Sequence, residues 1–135
     1  MTGVLLDTNV ISELTKLNRN PQVVAYLDTL EDGFISVITL HELRYGLERL
    51  GDGTRRRTLT ETVERFLSLY QDRVLPVGVP EARAAAALRA GQAQRGRTLH
   101  LADALIAATA LVHGLTLATR NLGFGVALYS PWGED

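Results

Sequence analysis

Apolar residues in this chain fall into two patterns. Short β-branched or aliphatic runs, Val4–Leu6, Phe34–Val37, Val74–Val77, Leu115–Thr119 and Val126–Tyr129, read as strands. Between them apolar positions recur at helical spacing: Val10, Leu14 and Leu17, then the stripe Leu40, Leu43, Leu47 and Leu50, then a helix from Leu59 to Tyr70. Pro80 stands where a first helical residue would, ahead of an Ala/Arg-rich helix to Gln94. Leu101–His113 is a helix closed by Gly114. Gly51-Asp52-Gly53-Thr54-Arg55-Arg56-Arg57 reads as a linker between two helical segments of one domain. Such alternation implies right-handed crossovers. The expected fold is α/β, a three-layer α/β/α sandwich with a mostly parallel central sheet, in a single domain over residues 1–135. Ligands of such sheets bind beyond the carboxyl ends of the strands, so the residues that follow each strand carry the functional information.

Composition narrows the classes. With 46% hydrophobic residues and a net charge of −1, neither a disordered chain nor a histone-like basic coat is possible. Nucleic acid, if bound, must be met by a local basic patch. The chain has no cysteine, which excludes disulfides, thiolate zinc sites and a Cys nucleophile, and fits a reducing compartment. The first apolar run ends at Asp7, too early for a signal peptide, and the longest, Leu99 to Leu117, carries His100, Asp103 and His113. A cytoplasmic protein with no membrane contact is expected.

Three acids need explaining. Asp7 directly follows the first strand, where an N-cap is the ordinary role. Glu42 falls within about the first turn of the next helix, where an acid suits the helix dipole. Gly46 is one turn further on the same face. It leaves either open space beside the carboxylate or room for another element to pack. Asp103 begins a helix whose only other polar side chain up to Val112 is Thr109. A carboxylate there must cap the helix, pair with a cation or bind a metal. Parallel topology would carry all three acids to one edge of the sheet. Clustered oxygen ligands suit a hard cation such as Mg²⁺ or Mn²⁺.

At these positions the sequence resembles the PIN-domain ribonucleases, in particular the VapC-type toxins of bacterial toxin–antitoxin modules. The resemblance is carried by Leu5-Leu6-Asp7-Thr8-Asn9-Val10-Ile11-Ser12-Glu13-Leu14, by Ser36 to Gly46 with His41-Glu42 at its centre, by Leu101-Ala102-Asp103-Ala104 onward to Ala110, and by Leu117-Ala118-Thr119-Arg120-Asn121 with Pro131-Trp132 near the end. It spans residues 4 to 132 in the family's order. It implies a PIN-like fold and Mg²⁺- or Mn²⁺-dependent cleavage of RNA to a 5′-phosphate and a 3′-hydroxyl. Asp7, Glu42 and Asp103 match the acidic metal-site residues and Thr8 the hydroxyl residue beside the first acid. In the mechanism this suggests, Asp7 and Asp103 hold the metal directly and Glu42 helps through the ion or a water. Asn121 completes the ring, and Thr8 and Arg120 position the phosphate. Asn121 stands where many relatives have a fourth acid, and the following stretch is shortened to Leu122-Gly123-Phe124-Gly125. One fewer negative charge weakens a second metal site. The alternative expectation is a catalytically weakened PIN-fold module that binds RNA or protein.

The resemblance also implies a homodimer held inactive by a cognate antitoxin, which by charge complementarity would offer Arg or Lys to the acidic pocket. Tyr26, Leu27 and Leu30 are either a dimer surface or core. Arg55-Arg56-Arg57 is either an RNA-backbone contact or a solvated loop, and Arg44 and Arg49 lie near the Glu42 face. Other chemistries fit less well. His41-Glu42 lacks the second His of a zinc-protease motif, since position 45 is Tyr45. His100 is read as an ordinary, partly buried histidine. The aspartyl-phosphate folds need a lysine from a late strand, whereas the only lysine is Lys16.

Overall fold

Strand β1 (Val4–Leu6) leads into helix α1 (Thr8–Ser12), a 3₁₀ turn over Glu13–Thr15, and helix α2 (Pro21–Thr29). Then come β2 (Gly33–Ser36), α3 (Val37–Glu48), α4 (Thr54–Ser68), β3 (Val74–Leu75), α5 (Val79–Gln94), α6 (Leu101–His113), β4 (Thr116–Ala118) and β5 (Leu128–Tyr129). The computed structural model describes residues 3–120 and 126–133, so Asn121 and the Gly123/Gly125 stretch lie outside the described residues. The strands form one sheet in the order β3-β2-β1-β4-β5, every neighbouring pair parallel.

Strand alternation divides the core between the two faces of the sheet. Leu5, Phe34 and Leu117 meet Ile106, Ala107 and Ala110 of α6 and Leu88 of α5. Leu6, Ile35 and Ala118 pack with Val10, Val23, Leu27, Leu43, Leu47 and Val63 from α1 to α4. The result is the expected three-layer sandwich. Small residues on α6 let α5 approach it, with Ala85 and Leu99 packed on Ala104 and Ala108. Tyr26, Leu27 and Leu30 pack in or against the core that Leu6, Ile35 and Ala118 share with α1 to α4, so they are core rather than a free surface.

Several boundaries differ from the sequence pattern for local reasons. Buried Ser36 caps α3, its Oγ accepting the Ile38 N–H at 3.0 Å, so Val37 opens the helix instead of ending the strand. Glu42 therefore sits in the second turn. β3 stops at Leu75 because Pro76 has no N–H to give the ladder. Asn20 caps α2 by accepting from the N–H groups of Gln22 and Val23, with Pro21 first in the helix. The arginine run is not a linker but the first turn of α4. Gly53, at φ 153°, turns the chain into it, and Arg56 binds Asp52 at 3.0 Å and Glu48 at 2.5 Å. At the end of α6, Gly114 takes φ 66° and the Leu115 N–H donates to the Ala110 carbonyl at 2.8 Å, as expected for a glycine closure. Among the described residues no helix is long and apolar enough to cross a membrane.

Candidate active site

The strand order reverses at β1, which has β2 on one side and β4 on the other. The crevice beyond the carboxyl ends of β1 and β4 is where such sheets bind ligands. Asp7 follows β1 and Thr119 follows β4. Thr119 Oγ1 donates to Asp7 Oδ2 at 2.7 Å, bridging the crevice, and the Thr8 N–H donates to Oδ1 at 2.7 Å. Asn9 Nδ2 lies 3.5 Å from Oδ2 and 3.3 Å from Thr119 Oγ1. Asp7 does cap α1, but capping one N–H of a five-residue helix does not require a carboxylate only 4% exposed. Burial pushes its pKa up to about 6. Its hydrogen bonds to Thr119 and the Thr8 N–H oppose the shift, and the charges of Asp103 and Glu42 add to it. The fold thus brings three acids 96 positions apart in sequence, 7 to 103, into one another's field.

Glu42 Oε1 accepts from Thr8 Oγ1 at 2.5 Å, and Thr39 Oγ1 lies 3.1 Å from the same hydroxyl. A hydroxyl has one proton, so Thr8 donates to Glu42 while Thr39 donates to Thr8. Thr8 thus holds Glu42. Asp103 is in the first turn of α6, where the cap position belongs to His100, whose side chain makes no capping bond. Among the described residues Asp103 has neither a hydrogen bond nor an ion pair. Among the described residues it therefore neither caps the helix nor pairs with a cation. Arg120 is exposed, its guanidinium 5.1 Å from the centre of the Trp132 ring and its N–H donating to Asn9 Oδ1 at 3.3 Å. Asn121 cannot be placed, being outside the described residues.

The sequence assigns no role to two residues that build the site, Thr119 and Asn9, or to Glu13 nearby in the chain. Thr119 and Asn9 hold Asp7, and buried Glu13 accepts the Asn20 N–H at 2.7 Å with Lys16 Nζ at 3.0 Å. A polar residue directly after a strand was the available signal for Thr119, the same signal that picked out Asp7. His100 is exposed rather than partly buried, and His41 is exposed and stacked on Tyr45.

The donor chemistry fits a hard divalent cation. All candidate ligands are carboxylate oxygens, and a cation among them would offset the burial and repulsion that raise the Asp7 pKa. Among the described residues, however, no three His, Asp or Glu side chains are already gathered tightly enough to enclose an ion. Thr8 engages Glu42, and Thr119 and the Thr8 N–H engage Asp7, so of the three acids Asp103 is the one without a hydrogen bond among the described residues.

The fold and this acidic crevice define a PIN domain. The PIN-domain family model matches residues 4–127, and the chain belongs to that family. Within the family it groups with the VapC- and FitB-type toxins of toxin–antitoxin systems. It is 43% identical to the toxin FitB of Neisseria gonorrhoeae, over 96% of this chain and 98% of that protein. It is 38% identical to the VapC ribonuclease Y4jK of Sinorhizobium fredii, over 96% and 97%. The crystal structure of FitAcB from Neisseria gonorrhoeae superposes with a TM-score of 0.86 at 42% identity, over 96% and 98% of the two chains. A toxin–antitoxin complex from Klebsiella pneumoniae superposes at 0.72 with 26% identity, over 96% and 98%.

Proposed function

We propose that this chain, a single PIN-like domain over residues 1–135, is a Mg²⁺- or Mn²⁺-dependent endoribonuclease and the toxin of a toxin–antitoxin pair. The observation that carries this reading is the convergence of Asp7, Glu42 and Asp103 at the switch point of a parallel sheet, with Asp7 buried and its pKa raised to about 6. Relatives named ribonucleases and toxins support the activity.

Asp7 and Asp103 would hold the ion, with Glu42 contributing through a water. When bound, a divalent ion lowers the pKa of water and stabilises charge on a phosphate undergoing displacement. The chain's own side chains prepare that chemistry. Thr119 and the Thr8 N–H fix the Asp7 carboxylate. The Thr39–Thr8 relay fixes Glu42, and Arg120, stacked on Trp132, stands exposed beside the site to meet a phosphate. Asn121, next in sequence after Arg120, would serve as a neutral contact. The partners on this reading are an RNA substrate, a second copy of the chain and a cognate antitoxin, in the cytoplasm.

The test is Mg²⁺- or Mn²⁺-dependent cleavage of labelled RNA by wild type and by Asp7→Ala and Asp103→Ala. Both variants should fold and lose cleavage. Either variant cutting at the wild-type rate would refute the assignment.

A further inference from the structure

Beside Glu42 the wall between α3 and α4 opens into a cavity of about 230 Å³. Thr8 and Glu42 are part of its wall, so it is continuous with the acidic site. Leu47, Leu50 and Leu59 give it an apolar lining, and Arg55 is the one cation among the described residues that line it.

Two residues here serve no need of the fold. Gly46 sits inside α3, where glycine costs about 1 kcal/mol relative to alanine. A Cβ built on it would meet nothing within 4 Å, so no packing demands a glycine. Of the two sequence readings of Gly46, open space and close packing, the structure shows open space. Arg55 is the second. Arg56 is bound to Glu48 and Asp52, and Arg57 reaches Thr54 at 3.3 Å. Arg55, among the described residues, has no hydrogen bond or ion pair and lines the cavity instead.

We infer that this cavity is a nucleobase subsite of the active site, with Gly46 keeping it open and Arg55 taking a backbone phosphate beside it. The inference rests on the ribonuclease reading above. The volume is below the roughly 300–1,000 Å³ of clefts that take drug-sized ligands, and suits a single ring system. Proteins that read single-stranded RNA do so by placing unstacked bases in such pockets. Charge favours RNA over a protein segment as the occupant. A phosphodiester chain brings negative charge to Arg55, which makes no ion pair among the described residues, while Glu42 in the same wall is already held by the Thr8 hydroxyl.

The experiment uses the full chain with Mn²⁺ and a random-sequence pool of single-stranded and hairpin RNAs, with cut ends mapped by sequencing. Wild type should show a base preference at one position next to the cut. Gly46→Leu should flatten that preference and lower kcat/KM at the preferred site at least tenfold. An abasic nucleotide at that position should cost wild type at least tenfold and cost Gly46→Leu less than twofold. Gly46→Ala, which meets no neighbour, should melt no lower than wild type yet cleave several-fold more slowly, so the inference stays testable if the leucine variant fails to fold. Arg55→Gln should raise KM and flatten the salt dependence of RNA binding. Wild type that cuts no RNA would remove the ribonuclease reading and this subsite with it. Wild type that cuts, with the glycine variants unchanged in rate and base preference, would remove the subsite alone. Unchanged RNA kinetics with lost binding of the antitoxin would also overturn it, giving the cavity to a protein side chain.

Discussion

Asp7→Asn isolates what the acidic site costs the fold. In the wild-type chain without divalent ions, Asp7 titrates near pH 6 instead of near its ordinary 3.8. A carboxyl whose folded pKa is raised favours folding while protonated. Its contribution is fully present below about pH 4 and is lost as pH rises through about 6. The shift of about 2 pKa units corresponds to a penalty of about 3 kcal/mol on the folded state at pH 7.5. Asparagine keeps the shape and still accepts the Thr8 N–H, and its amide can donate to Thr119 Oγ1. Its amide also faces that of Asn9, which offsets part of the gain. The expected net stabilisation in EDTA at pH 7.5 is roughly 1–3 kcal/mol, equivalent to about 3–10 °C in Tm for a domain of this size. Urea unfolding of both proteins at pH 4.5 and 7.5 measures it, and the gain should shrink at the lower pH. A variant no more stable than wild type at pH 7.5, or a gain as large at pH 4.5, would refute the reasoning.

Other perturbations read the same structure. Thr119→Val removes the hydroxyl that donates to Asp7 Oδ2, so it should destabilise the protein by about 1–3 kcal/mol above pH 6 and raise the Asp7 pKa further, seen as a higher midpoint in an NMR carboxyl titration. Thr8→Val should free Glu42 and lower cleavage while changing Tm little, which steady-state kinetics and a melting curve together check. Gly33→Ala would place a Cβ 2.8 Å from Leu30 and 2.9 Å from Tyr70, and should cost roughly 1–3 kcal/mol in chemical denaturation. Gly114→Ala, at φ 66°, should cost about 1 kcal/mol by the same measurement.

Much of this architecture was legible because period-2 and period-3.6 patterns survive wherever a face is buried. The Leu40–Leu50 stripe and the apolar α6 announced their helices, and the polar residue after β1 announced the crevice. What was hidden depends on contacts distant in sequence. Arg55–Arg57 read as a solvated link because its helix start is set by Gly53 and by the hold of Arg56 on Glu48 across the turn. α2 is short, its apolar stripe is brief, and its identity lies mainly in the Asn20 cap. The sequence leaves Asp103 open between a cap, a cation pair and a metal ligand, because it does not show that His100 holds the cap position. The hold of the Thr8 hydroxyl on Glu42 depends on the approach of α3 to α1, which no local pattern encodes. Thr119 gains its role from β4 pairing beside β1, which no local pattern encodes.

On the proposed function, Asp7 and Asp103 share a hard cation. The anomalous difference map of crystals soaked in Mn²⁺ tests it directly. A peak should lie between the carboxylates of Asp7 and Asp103, at bonding distance from both, and should vanish in crystals of Asp103→Asn. Manganese seen only at other surfaces, with the two carboxylates turned away from each other, would contradict it.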